Sequence, residues 1–312
     1  MNKILNKQDI FKSLAICSMI LDHSAEYLLK YYFPTEIILF LRCLGRYAMP
    51  IFCFFAGYNH NQKSKNTLNI LFWGIILELY VISNQNFRLF VLQYTQPYHL
   101  KLFLYYVFIS ILILTLIIFI YNHISKNFKI ILTKNIIIPF LVIICAYFIS
   151  KLKHGSNNIL ISIYLGKICI NFLKKYLDDD FVILIVYILL ITLCSFSYKT
   201  LDYGSLSPLF VITGGLSKLN KRKFTLHSSI CIILLFLMNQ LGFLNKKQII
   251  LSITNILIHL AAWISINRVN HIETISNKLF FIKYLSRNAL AIYVIHLLIL
   301  HGLNLAIKIH LL

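Results

Sequence analysis

Apolar runs of about twenty residues recur along the whole 312-residue chain, and short basic segments separate them. A helix of that length crosses the roughly 30 Å hydrocarbon core of a bilayer. Backbone polar groups in lipid must be satisfied within the segment, so such runs form helices. With 59% hydrophobic and 13% charged residues, the chain has more apolar surface than a soluble domain can hide. The runs therefore predict an all-α integral membrane protein. It would be a polytopic bundle of about 10–11 transmembrane helices, forming one domain over residues 1–312. The expected spans are 11–31, 37–58, 67–83, 101–121, 135–151, 158–173, 181–198, 205–217, 224–243, 249–266 and 284–306. Lys167 interrupts 158–173, the run 205–217 is short, and the aromatic stretch 84–100 reads as interfacial. The first run keeps its charges and lacks a small-residue cleavage site after it, so it reads as a retained helix.

The net charge of +20 invites a nucleic-acid reading, but the Lys and Arg residues form no single stripe. They cluster at the ends of apolar runs, as topology-setting charges do. With the N-terminus in the cytoplasm, the cytoplasmic segments hold sixteen Lys and Arg residues and the opposite segments nine. The positive-inside rule thus puts the N-terminus inside and, with eleven spans, the C-terminus outside. The seven Cys are scattered singly, mostly within apolar runs, and imply neither a disulfide framework nor a metal site. The run Asp178-Asp179-Asp180 lies beside Lys174 and Lys175 and reads as a solvated loop.

Against this background the stretch MILDHSAEYL (19–28) is anomalous. An ionisable residue at bilayer depth costs about 2.5–3.5 kcal/mol on insertion scales and normally marks function. Lys12 and His23 are eleven residues apart. They lie within about 20° of each other on one helix face, some 16 Å apart along the axis. Met19 and Glu26 share that stripe, and Glu26 is close enough to touch His23. Asp22 points elsewhere and reads as a brace to a neighbouring helix. The arrangement suits a donor entering from the cytoplasm: Lys12 at the mouth holds a phosphate, and His23 deeper in acts as general base, with Asp22 and Glu26 completing the catalytic group. The alternative for Lys12 is an ordinary span-end charge, and for His23 an interior hydrogen-bonding residue.

The second span, LRCLGRYAMPIFCFFAGY (41–58), carries Arg42 and Arg46 on one face. Together they suit an anion clamp for the donor, or they snorkel to the outer interface, which Arg42 can reach more easily. Gly45 and Gly57 permit close helix approach, and Pro50 is expected to kink the helix. Glu78 sits mid-span, where an Arg46 or Lys partner or a protonated acid would account for it. Asp202 reads as a cap or a site residue, and Asn288, Tyr293 and His296 as candidates to line a cavity.

The pair DIFKSLAICSMILDHSAEYL (9–28) and LRCLGRYAMPIFCFFAGYNHNQ (41–62) resembles the N-terminal region of the TraX family, the pilin acetylases of conjugative plasmids. Asp22-His23, and Gly45-Arg46 with Pro50 and Phe52, stand where that family has its Asp-His pair and Gly-Arg-x-x-x-Pro-x-Phe span. LDYGSLSPLFVITGG (201–215) is similar to its Asp-Tyr-Gly segment. YLSRNALAIYVIHLLIL (284–300) is similar to the closing span of the wider group of membrane acyltransferases. That group's Lys/Arg-x10-His motif is met by Lys12 and His23, but its Arg-x-x-Arg is not, since Arg42 and Arg46 have three residues between them. The resemblance implies a bacterial inner-membrane enzyme that takes an acetyl group from cytoplasmic acetyl-CoA. The acceptor would be the N-terminal amine of a pilin-like membrane protein, and neither metal nor nucleic acid would take part. His23 would act directly as base or carry the acetyl group. The readings set beside this one are O-acylation of a cell-surface sugar or lipid, and transport.

Overall fold

A computed structural model describes residues 7–46, 48–60, 64–92, 158–174, 180–192, 203–219 and 280–310. All the regular elements among them are helical. In chain order they are α1 (Lys7–Tyr27), a 3-10 turn (Leu29–Tyr31), α2 (Thr35–Gly45), α3 (Ala48–Tyr58), α4 (Ser64–Leu92), α5 (Ile159–Leu173), α6 (Asp180–Thr192), α7 (Leu206–Lys218), α8 (Phe280–Arg287) and α9 (Ala289–His310). The runs expected at 101–121, 135–151, 224–243 and 249–266 lie outside the described residues, as do Asp202 and the acidic stretch 178–179.

Among the described residues, two stretches are long and apolar enough to cross a bilayer: Thr35–Tyr58, taken across the junction of α2 and α3, and Ala289–Ile307. Asn69–Ile82, Ile159–Leu173 and Phe181–Thr192 are apolar but shorter. Much of the outward surface is apolar too. Phe181, Ile188 and Leu189 on α6, and Ile295 and Ile299 on α9, are each at least half exposed.

In the second run, the described helix α2 ends at Gly45 and α3 begins at Ala48. Pro50 falls in the first turn of α3, where its missing N–H leaves no bond unmade. Its ring would collide with the carbonyl four residues back, at Arg46, so α2 ends there. The last run is also divided, at Asn288. The Asn288 side-chain amide donates to Tyr284 O (2.9 Å) and competes with the helix ladder. Residues 84–92 of the stretch expected at the interface instead continue α4.

The short run expected at 205–217 forms the innermost of the described helices. From Leu206 to Leu216 every residue of α7 is buried, as in a helix packed on all sides. It runs parallel to α3, with Arg46 and Tyr203 near their starts and Gly57 and Gly215 near their ends. The two backbones touch. A Cβ on Gly214 would collide with the Phe54 carbonyl, and one on Gly57 with the Val211 carbonyl. Gly166 lets α5 approach Pro208 and Val211 in the same way. Phe54, Phe210, Ile212 and Ile170 fill the spaces between these three helices. α5 begins with Asn158 as N-cap, its side chain accepting from Leu160 N (3.0 Å).

Along α1 and the α8–α9 pair, polar contacts recur in register. Ser286 Oγ donates to Asp9 Oδ1 (2.6 Å). His23 meets His296, Tyr27 packs on His301, and Tyr31 donates to Asn304 (2.8 Å). α1 and α9 are therefore parallel, and the start of α1 lies at the opposite end of the bundle from the end of α9.

The α3–α7 contact predicts a graded response to added side chains. Gly214→Val should lower stability in detergent by about 1–3 kcal/mol, the usual range for overpacking. Gly302→Ala should change it little, because its new Cβ would meet only Tyr80 Oη at 3.4 Å. Thermal unfolding of the two variants beside the parent checks the ranking.

Candidate functional site

Asp22 is 5% exposed, and its carboxylate is compensated from the last turn of α2 and its C-cap. Arg42 Nε lies 3.3 Å from Asp22 Oδ1, and Arg46 Nε 3.8 Å from Asp22 Oδ2. Arg42 also reaches Glu26 Oε2 with Nη2 at 3.0 Å. The two arginines expected to clamp a donor thus form a four-member ion cluster with two of the α1 acids. Asp22 braces the neighbouring helix, as its position on α1 implies. Gly45 makes this possible, since a Cβ there would collide with the Asp22 Cβ. Arg46 also donates to Tyr203 Oη and lies over its ring, 5.2 Å from the centroid. Tyr203 and Gly204 both have left-handed backbone, with φ of 59° and 55°, in the turn that delivers the phenol to this position.

His23, on the adjacent face, does not pair with Glu26 as its spacing allows. Its Nδ1 lies 2.7 Å from Nε2 of His296, and His296 Nδ1 is held 2.8 Å from the Ile292 carbonyl. Tyr293 packs edge-on against both imidazoles.

A cavity of about 280 Å³ extends from this centre. It is close to the lower end of small-molecule sites, roughly 300 Å³. Asp22, His23, Gly45, Tyr203 and Tyr293 line one end. Lys12, Lys167, Phe55 and Asn59 line the other, with Lys12 Nζ 5.4 Å from the Phe55 ring centroid. The walls between are apolar, from Met19, Phe52, Ile70, Ile159 and Ile163. Neither lysine is in a salt bridge among the described residues. The chamber therefore has a cationic end and an imidazole end, separated by about eleven residues of helix rise, some 16 Å.

Several of these residues are not evident from sequence. Lys167 reads there as a flaw in a span, although a buried cation in an apolar run is itself a functional signal. Tyr203 stands in the Asp-Tyr-Gly segment already singled out, but it is 157 residues from Arg46, and no spacing rule connects them. Glu78 is structural, since its carboxylate accepts from the Asn158 backbone N–H at the start of α5. Asn288 is bound to its own helix and does not line the cavity.

A second hollow lies where α3, α5 and α7 end, lined by Gly57, His60, Ile170, Lys174, Gly215 and Lys218. His60 Nε2 donates to Asn171 Oδ1 (2.8 Å). Burial holds the His60 imidazole below its ordinary pKa of 6.5, against the Asn171 bond, and Lys167, Lys174 and Lys218 push it the same way as burial. Lys174 is lowered by burial and then by Lys218.

These features define a helical bundle with a cluster of carboxylate, guanidinium and imidazole groups beside an apolar chamber. Residues 7–155 match the family model described as TraX protein, so the resemblance of the first two spans holds over that stretch. The chain is also similar to "Uncharacterized protein RP591" of Rickettsia prowazekii (strain Madrid E), 27% identical over 310 residues. That alignment covers 95% of this chain and 91% of the relative. No solved structure matches.

The ion cluster and the second hollow each make a prediction. Arg42→Gln should destabilise the fold by about 1–3 kcal/mol, between the values for exposed and buried pairs. Adding Asp22→Asn should recover part of that loss, because it removes a buried carboxylate left with only the longer Arg46 contact. A double-mutant cycle by thermal unfolding measures the coupling. For His60, a lowered folded pKa means that its stabilisation is present above about pH 6.5 and is lost as pH falls through the folded value. His60→Gln should flatten that acid limb of the stability–pH curve.

Proposed function

We propose that this protein is an integral membrane acetyltransferase that uses acetyl-CoA as donor and the N-terminal amine of a pilin-like membrane protein as acceptor. The TraX match suggests a conjugation-related role, and the enzymatic reading rests on the chamber. The observation that carries it is a histidine at one end of a mainly apolar cavity whose other end presents two lysines. A coenzyme thioester has the matching polarity, with anionic phosphates at one end and a small reactive acyl group at the other.

In this reading the bundle lies in the bacterial inner membrane with its N-terminus in the cytoplasm. The parallel course of α1 and α9 is compatible with an odd number of spans. Lys12 and Lys167 hold phosphate oxygens near the cytoplasmic end. The thioester arm lies along the apolar walls, which exclude water and so protect it from hydrolysis.

His23 acts as general base. The neutral acceptor amine attacks the thioester carbonyl, and a C–N bond forms. His23 takes the proton that the amine nitrogen loses. The C–S bond then breaks, and the same proton passes from the imidazolium to the leaving thiolate. The products are the acetylated amine and CoA. The Arg42–Arg46–Asp22–Glu26 cluster keeps α1 seated so that His23 faces the chamber.

Membranes carrying the protein and a co-expressed candidate pilin, given labelled acetyl-CoA, test this. The parent should label the pilin. His23→Ala at equal expression should lose about 10²–10⁴-fold in rate, the range that general-base catalysis supplies. Lys167→Ala should raise KM for acetyl-CoA more than it lowers kcat. His23-dependent CoA release without pilin labelling would move the acceptor to sugars or lipids. No His23-dependent turnover would remove the enzymatic reading.

A further inference from the structure

The contact between the two imidazoles has a definite geometry. Their planes are 8° apart and their centroids are separated by 5.0 Å. Face-to-face stacking does not fit, because Nδ1 of His23 and Nε2 of His296 are only 2.7 Å apart, closer than the about 3.5–4.0 Å of stacked atoms. The rings meet edge to edge, nearly coplanar. Ring N–H bonds and lone pairs lie in the ring plane, so one nitrogen donates directly into the lone pair of the other.

The direction of donation follows from the other end of His296. Its Nδ1 lies 2.8 Å from the Ile292 carbonyl oxygen, which can only accept. Nδ1 of His296 therefore carries the hydrogen. A neutral His296 then has a bare Nε2, and the proton in the 2.7 Å contact belongs to His23 Nδ1. The reverse donation would set a His296 lone pair against a carbonyl lone pair. An imidazolium at His296 would add a third cation to a cluster in which Arg42 and Arg46 already balance Asp22 and Glu26.

We infer that His296 is a positioning residue that fixes the tautomer of His23, leaving Nε2 of His23 as the bare nitrogen available to the cavity. His23 lines that cavity, and Nε2 makes no hydrogen bond among the described residues. The backbone of α9 supplies the constraint: Ile292 O orders His296, and His296 orders His23. A lone histidine in an apolar chamber would divide between two tautomers, and only one can accept a proton at Nε2. The relay removes the other. The helix carbonyl thus does for this pair what a carboxylate does for a catalytic histidine elsewhere, without adding a buried charge. Its consequence for catalysis rests on the acetyltransferase reading, but the tautomer itself does not.

The test is ring nitrogen chemical shifts of the full chain, 15N-histidine-labelled in lipid nanodiscs at pH 7.5, with His23 assigned from a His23→Gln sample. The expected result for the parent is a protonated Nδ1 and a bare Nε2 on His23. His296→Leu should let the opposite tautomer appear. His296→Gln, whose amide oxygen can reach the place of Nε2, should keep Nδ1 protonated. A parent His23 protonated at Nε2, or a His296 protonated at both nitrogens, would overturn the inference. So would an unchanged tautomer in a folded His296→Leu protein.

In the transfer assay, His296→Leu should lose about 10²-fold in kcat with KM for acetyl-CoA held, and His296→Gln should recover most of it. Full kcat in His296→Leu would end the positioning role. Expected shifts without any acetyl transfer would retain the tautomer and reject the acetyltransferase reading.

Discussion

A carboxylate that is 5% exposed in an apolar bundle must be compensated, and the position of Asp22 organises much of what surrounds it. Its partners cannot come from α1 itself, because Asp22 points away from the charged stripe. They come from α2 and its C-cap, where Arg42 and Arg46 sit one helical turn apart. Seating the carboxylate between them draws α2 so close that only glycine fits at position 45. The rotation of α1 is then set, and His23, one residue on, is turned toward α9 and the chamber. Arg46 extends the same network to Tyr203, so the turn before α7 is tied to the cluster.

The chamber inherits its polarity from this arrangement. With the arginines neutralised by acids, the remaining cations that the described residues turn to the cavity are lysines at its far end, Lys12 and Lys167. They come from helices that run in opposite directions. Lys12 follows the start of α1 by five residues, and Lys167 precedes the end of α5 by six. Both therefore lie at one level of the bundle. An elongated ligand with charge at one end would be oriented by that asymmetry before any chemistry began.

How far the site is legible from sequence depends on the separation of its residues along the chain. Lys12, His23 and Asp22 lie on one helix, and helical geometry alone assigns the first two to one face and the third to another. Arg42 and Arg46 are visible as a pair, but their charge has two outlets, a ligand or the acids of α1. Only packing shows that the acids receive it. Pro50 marks the second run as irregular in the sequence, and α2 gives way to α3 just before it. The short run that begins at 205 looks minor on length alone. Length measures fitness to span a bilayer, whereas α7 is defined by being enclosed on every side.

What the sequence determined by itself is the helical class, the apolar exterior and the anomaly of charged residues within the first two runs. These properties follow from local periodicity and transfer energies, which act over one helix at a time. Tertiary structure decided which charges compensate one another, that Lys167 joins Lys12, that Tyr203 meets Arg46, and that His296 rather than Glu26 is the partner of His23. His23 and His296 are 273 positions apart. They meet because parallel packing brings α1 and α9 into one register, and no helical periodicity extends across that distance.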